Sequence, residues 1–266
     1  MSQISKAIEI AREKEGYAES GLQNHGLRNN QQSDISKIKH VQIDESVLRK
    51  NKVLTAIDDE SVIDTYRLLR TRVQTRMRQN NWKTLGITSA GKNDGKTLTA
   101  VNLGISIAMK QNVTVVVVDA DLRNPSIHEM FGFKPQAGIG DYLTSSMSID
   151  DVLVNPGIDR LAILPGNKRT QASSELLSSP KMGHLVKELK TRFPTRIVIF
   201  DLPPVLVGDD VVAFAPNLDA ALLVVEEGNT ESDKLKKSID LLENVEIIGT
   251  VLNKSKDKSQ SEEYYY

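Results

Sequence analysis

The stretch Ala90-Gly-Lys-Asn-Asp-Gly-Lys-Thr97 lies between an apolar run, Leu85-Gly-Ile-Thr-Ser89, and a helix-forming segment over residues 98–110. A small residue, four intervening residues and then Gly-Lys-Thr, set between a strand and a helix, form a phosphate-binding loop. Backbone N–H groups in such a loop converge on a polyphosphate, and the following helix points the positive end of its dipole at the anion. Gly91 and Gly95 let the backbone approach the ligand closely. Lys96 reaches the β- and γ-phosphates, the Thr97 hydroxyl ligates Mg²⁺, and Lys92, Asn93, Asp94 and Leu98 surround the nucleotide, taken to be ATP. A polar turn without a ligand has little reason to combine these residues at this spacing.

The rest of the chain fits a sheet built around that loop. Short β-branched runs at residues 85–88, 113–118, 161–164, 197–200, 221–225 and 247–252 read as strands buried on both faces. Helical patterns at residues 98–110, 174–192 and 231–243 separate several of them. The alternation predicts an α/β fold of the phosphate-loop NTPase kind: a mostly parallel sheet with helices on both faces. Ligands then bind at the carboxyl ends of the strands. A further helix over residues 58–79 carries an apolar stripe of Val62, Tyr66, Leu69, Val73 and Met77, with Asp58, Asp59 and Glu60 favouring its start.

Upstream, residues 2–15 repeat Ile4, Ala7, Ile8 and Ala11 at helical spacing, and residues 16–39 are a polar stretch with too few large apolar residues to fold alone. The expected division is an N-terminal helix and flexible linker over 1–57, a phosphate-loop domain over 58–253 and a disordered tail over 254–266. That tail ends in Tyr264, Tyr265 and Tyr266, half of the six tyrosines of the chain. With nothing local to bury them against, these rings read as groups to be bound or modified. Tyr17, Tyr66 and Tyr142 read as ordinary linker, helix-face and packing residues. The formal net charge of −1 argues against coating nucleic acid, so no nucleic-acid partner is expected. No cysteine occurs, which removes disulfides and thiolate metal sites and fits the cytoplasm. No run reaches the ~20 apolar residues that span a bilayer. The expectation is a soluble chain, brought to a membrane only by a partner.

Two further segments place acids where the loop needs them. The run Val113-Thr-Val-Val-Val-Val118 delivers Asp119 and Asp121, within Asp119-Ala-Asp-Leu-Arg123, to a strand's carboxyl end. Residues two apart in extended backbone face one side, so both carboxylates can address a cavity holding Mg²⁺ and a nucleophile. Arg123 either stabilises transferring phosphoryl charge or pairs with a nearby carboxylate. Ile197-Val-Ile-Phe200 leads to Asp201-Leu-Pro-Pro204, which makes Asp201 the second magnesium-organising aspartate, with Pro203 and Pro204 stiffening the exit. Asp209 and Asp210 face the nucleotide or cap the next helix, with capping favoured. Asn253, after the last strand, either meets a base edge or serves an ordinary turn.

Together the phosphate loop, the Asp119-to-Arg123 segment, the Ile197-to-Pro204 segment and the terminal tyrosines resemble the bacterial tyrosine kinases of exopolysaccharide and capsule biosynthesis. The resemblance implies a phosphate-loop fold related to the septum-site and chromosome-partitioning ATPases, and autophosphorylation in trans on Tyr264, Tyr265 and Tyr266. It implies that Lys96 and Thr97 bind ATP and Mg²⁺, that Asp119 and Asp121 belong to an acidic motif peculiar to the family, that Asp201 closes the metal site, and that Asp121 is the base towards the tyrosine hydroxyl. A Glu-x-x-Arg-x-x-Arg motif used for ring assembly is matched by Asp64, Arg67 and Arg70, with Asp in place of Glu. A homo-oligomer follows, together with activation by a membrane protein that controls polymer length and export. The competing reading is an ATPase switch of the partitioning or septum-site class. That class usually carries a second lysine where this chain has Gly91. A membrane-targeting member also ends in an amphipathic helix, whereas residues 254–266 show no apolar stripe.

Overall fold

The valine run at residues 115–118 feeds both faces of one sheet. In the computed structural model, which describes residues 35–110, 113–192 and 196–256, Val116 and Val118 enter one apolar core while Val115 and Val117 enter the other. Six strands make the sheet: β1 (Thr84–Ser89), β2 (Thr114–Asp119), β3 (Leu161–Leu164), β4 (Arg196–Asp201), β5 (Ala220–Glu226) and β6 (Glu246–Asn253). Their order is β3-β2-β4-β1-β5-β6, and every neighbouring pair is parallel. Each strand end lies within one residue of its sequence-based bound. The expectation of burial on both faces holds for β1 to β4 and fails at β6, where exposed and half-buried residues alternate. The reason is covering: β6 is an edge strand paired only with β5, whereas β3 at the other edge is also met by Val154, which pairs with Ile163.

The helices follow the sequence less closely. Among the described residues, α1 (Glu45–Lys50) precedes α2 (Glu60–Gln79), which begins after Asp59, whose carboxylate accepts the Ser61 N–H at 3.0 Å. After the phosphate loop comes α3 (Lys96–Ala108). Gly104 lets α3 lie close on the sheet, since a Cβ there would stand 2.6 Å from Val117 Cγ2. Short helices α4 (Ile127–Phe131), α5 (Ile139–Thr144) and α6 (Ile149–Val152) follow β2. The single helix expected over 174–192 is two, α7 (Ser173–Leu177) and α8 (Pro180–Arg192). Pro180 has no N–H to donate and disfavours helical backbone at Ser179, so it opens a new helix. Downstream, α9 (Asp210–Phe214) leads into β5 and α10 (Ser232–Leu241) into β6.

Residues 35–57 were expected to be linker, yet they pack on the body of the fold. Ile38, Leu48, Val53 and Leu54 are buried. Val41 N donates to Asn155 O at 3.0 Å, Asn155 N donates to Lys39 O at 2.8 Å, and Asn102 bridges Leu54 N and Lys52 O. A few apolar residues in a polar run give no periodic signal, although burying each is worth about 1.5–3 kcal/mol. The helix expected at 2–15, most of the linker, Tyr17 and the tail with Tyr264, Tyr265 and Tyr266 lie outside the described residues.

Candidate functional site

The carboxyl ends of β1, β2 and β4 meet beneath a cavity of about 490 Å³. Lys92, Asn93, Gly95, Lys96, Thr97 and Leu98 line it from the loop and α3. Asp121 and Arg123 line it from the segment after β2, and Pro203 and Pro204 from the exit of β4. Gly95 precedes α3 with φ +96°, backbone that an L side chain adopts only under strain.

Lys96 is the centre of the charge arrangement. Its Nζ donates to Asp121 Oδ2 at 2.8 Å and stands 3.8 Å from Asp201 Oδ1, too far for a hydrogen bond, so that second contact acts through charge. Burial works against the ammonium, but Asp201, Asp121 and Asp119 outweigh it and hold its pKa above the ordinary lysine value. Asp119 and Asp201 face each other in the β2–β4 register, and both are fully buried. Asp119 Oδ2 accepts the N–H groups of Ser126 and Ile127, each at 2.9 Å, while Oδ1 makes no hydrogen bond. Burial and Asp201 push the Asp119 carboxyl up to about 8, against the pull of those two N–H groups. Neither oxygen of Asp201 has a hydrogen-bond partner, and burial raises its carboxyl to about 6 while Lys96 holds it down.

The polar residues in and around the loop divide the work differently from the sequence reading. Asp94 was expected to face the nucleotide, but it is turned inward, 1% exposed, and its Oδ2 accepts the Gly91 N–H at 3.0 Å. The Gly91 N–H is thereby spent inside the loop, and neither residue lines the cavity. Asn253 likewise braces the loop: its Nδ2 donates to Asp94 O at 2.8 Å and packs against Gly95. Asp119, expected in the cavity with Asp121, lies beneath its wall, because the strand ends at Asp119 and only Asp121 reaches the opening.

Arg123 takes the pairing role, donating through Nε to Asp210 Oδ2 at 2.7 Å, and it lines the cavity as well. Asp209 sits at the N-cap position of α9 without a capping bond, and accepts instead from Ser174 Oγ at 2.9 Å. On α2, Arg67 donates to Asp64 Oδ1 at 2.7 Å, whereas Arg70 turns to α3 and donates to Ser106 O at 3.0 Å. The three are not one outward-facing set. Sequence reasoning missed Ser126, whose N–H holds Asp119 and whose hydroxyl stands 3.4 Å from Thr97 Oγ1. It also missed Thr88, whose hydroxyl fixes the Pro203 carbonyl at 2.6 Å. Neither position carries a local signal.

The chain is 30% identical over 229 residues to the tyrosine-protein kinase YwqD of Bacillus subtilis, an alignment covering 82% of this chain and 95% of that protein. This chain belongs to the bacterial tyrosine-protein kinases. No family model matches it. The putative tyrosine-protein kinase CapB of Staphylococcus aureus is 25% identical over 209 residues, 77% of this chain and 90% of that one. Among solved structures, the kinase domain of the Escherichia coli tyrosine kinase ETK superposes with a TM-score of 0.69 at 25% identity, covering 87% of this chain and 98% of that one. The Pyrococcus furiosus cell-division ATPase MinD shares the fold at a TM-score of 0.55, covering 68% and 78%. The kinase is thus a nucleotide-binding protein-tyrosine kinase, built on a sheet that the cell-division ATPase MinD shares.

Proposed function

We propose that this kinase transfers the γ-phosphoryl group of ATP to Tyr264, Tyr265 and Tyr266 of a neighbouring copy, and that this modification regulates the synthesis and export of an extracellular polysaccharide. The observation that carries the reading is the buried constellation of Lys96, Asp119, Asp121 and Asp201, with three carboxylate oxygens lacking hydrogen bonds. Buried acceptors of that kind are costly unless a ligand meets them, and a divalent cation is the partner their chemistry suits. No trio of His, Cys, Asp or Glu side chains converges among the described residues. A magnesium site of this class needs only one or two carboxylates, a hydroxyl and the phosphates of the substrate. Asp201 and Thr97 would hold the ion, with Asp119 behind them. Bound there, Mg²⁺ would neutralise charge on the phosphates.

The chain's own residues do the rest. Lys96 exchanges Asp121 and Asp201 for phosphate oxygens, which frees Asp121 Oδ2 to accept the tyrosine O–H proton. The tyrosine oxygen forms its bond to the γ-phosphorus as the bond to the β-phosphate oxygen breaks, and Lys96 neutralises the charge left on ADP. Lys92, Asn93 and Leu98 flank the nucleotide, and Arg123 meets the transferring group. Pairing of Asp64 and Arg67 with a neighbouring subunit would assemble the copies, with Arg70 bracing α2 on α3.

The polysaccharide reading draws support from the succinoglycan biosynthesis transport protein ExoP of Rhizobium meliloti. It is 27% identical over 212 residues, which make up 27% of its length. ExoP is named a transport protein, and the reading gives this kinase a membrane export protein as its partner. Among the described residues no helix is long and apolar enough to cross a membrane, and the partner would hold the kinase there. Labelling with γ-phosphate-labelled ATP tests the tail: replacing all three terminal tyrosines with Phe should remove most self-labelling while nucleotide affinity stays unchanged. Undiminished labelling of that variant would sink the tail assignment.

A further inference from the structure

At the amino ends of β1, β2 and β4, which are neighbours in the sheet, the last turns of α2 and the segments leading into the strands enclose a second cavity of about 320 Å³. Its charge has one sign. Arg78, Lys83, Lys110 and Arg196 line it, and no carboxylate does among the described residues. In a chain whose net charge is −1 this is a concentrated positive patch. Basic residues commonly settle the carboxyl ends of helices, and Arg78 Nε does donate to Gln74 O at 3.2 Å. Each helix end carries only about half a charge, so the two that border the cavity leave most of the excess in place.

The remaining wall suits a ring. Trp82 lines the cavity beside an apolar floor of Met77, Val113 and Ile197. Gln74 also lines it, from the same face of α2. The kinase site uses none of these residues.

We infer that this cavity is a phosphotyrosine site, and that its occupant is the phosphorylated tail of the kinase, residues 262–266. Phosphotyrosine joins an aromatic ring to a group carrying about −1.5 to −2 charges. The ring stacks on Trp82, and the phosphate takes charge-assisted bonds from Arg78 and Lys110. Glu262 and Glu263, directly before the three tyrosines, extend the match of charge. The cavity is also smaller than the one of about 490 Å³ at the phosphate loop, which fits an aryl phosphate better than a nucleoside triphosphate. Capture of the modified tail at the far end of the sheet would keep it away from the active site once phosphorylated.

The inference rests on the proposal that the tail tyrosines are modified, but a synthetic peptide separates the two. Trp82 is the only tryptophan in the chain, so its fluorescence reports the cavity alone. The full chain carrying Tyr264→Phe, Tyr265→Phe and Tyr266→Phe would be titrated with Ser-Glu-Glu-phosphotyrosine, its unphosphorylated twin, inorganic phosphate and Mg-ATP. The phosphorylated peptide should change the emission saturably and at least tenfold more tightly than the other three. Arg78→Glu with Lys110→Glu, both exposed positions, should weaken that response at least tenfold while far-UV circular dichroism is unchanged. Equal responses to both peptides, a response to phosphate or Mg-ATP as tight as to the phosphopeptide, or an unaltered affinity in the double variant would each overturn the assignment. Absence of phosphate on the native tail would instead undo the proposed kinase reaction and leave the peptide result standing.

Discussion

The two ends of the sheet carry opposite charges and hold them in different ways. At the carboxyl end, Asp119 and Asp201 come from the last residues of β2 and β4, so strand register fixes them, fully buried, around Lys96. At the amino end, Arg78, Lys83 and Lys110 come from a helix end and connecting segments, and all three are exposed. Charges locked by register cannot relax, and desolvation there shifts their protonation. Charges on flexible stems stay in water and act on whatever approaches. Substitutions at the first end should therefore alter chemistry and stability together, whereas those at the second should alter binding alone.

The sharpest break in that comparison is Lys96→Met. Removing the cation that meets Asp121 and Asp201 should lower tail phosphorylation by at least about 10²–10³-fold, the range for loss of one transition-state charge partner, read by phosphate incorporation. Gly95→Ala comes next. Its φ of +96° strains an L residue, and a Cβ would stand 2.0 Å from Asn253 Nδ2, so the brace to Asp94 must move. Nucleotide affinity measured by calorimetry should fall by tenfold or more, and an unchanged affinity would mean that the loop does not depend on that brace.

A smaller effect should appear without nucleotide or metal. The folded pKa values of Asp201 and Asp119, about 6 and about 8, exceed the ordinary 3.8 because burial favours the neutral acids. Their contribution to stability is complete below the ordinary carboxylate value and is lost as pH rises through about 6 and then about 8. In EDTA the Tm should decline over that window, and Asp119→Asn, which carries no charge to desolvate, should flatten the decline above pH 7. A Tm profile in the variant parallel to the native one would show that the Asp119 charge is not what the fold opposes. The smallest effect belongs to the opposite end: Arg78→Glu with Lys110→Glu should leave the initial rate of tail phosphorylation unchanged, and a large loss there would mean that the two ends are not separable.

The same contrast explains what could be read from the chain. Strands announced themselves because β-branched runs buried on both faces leave no polar alternation, and the acids at their ends inherit positions from those runs. Asp119, Asp121 and Asp201 were legible for that reason. Asp94 and Asn253 were not, because one turns on the Gly91 N–H and the other reaches across 159 positions of sequence, and neither contact leaves a local pattern. The helices α4, α5, α6 and α9 are each too short to show a helical period. The basic cavity escaped notice because its cations come from separate segments that only the sheet brings together.

The central claim is that the γ-phosphate goes to the tail. Mass spectrometry of the C-terminal peptide, after the phosphatase-treated chain is incubated with Mg-ATP in the presence of the proposed membrane partner, reads this directly. The account predicts new phosphate on Tyr264, Tyr265 or Tyr266 in the native chain and none in Lys96→Met; an unmodified tail accompanied by steady release of inorganic phosphate would contradict it.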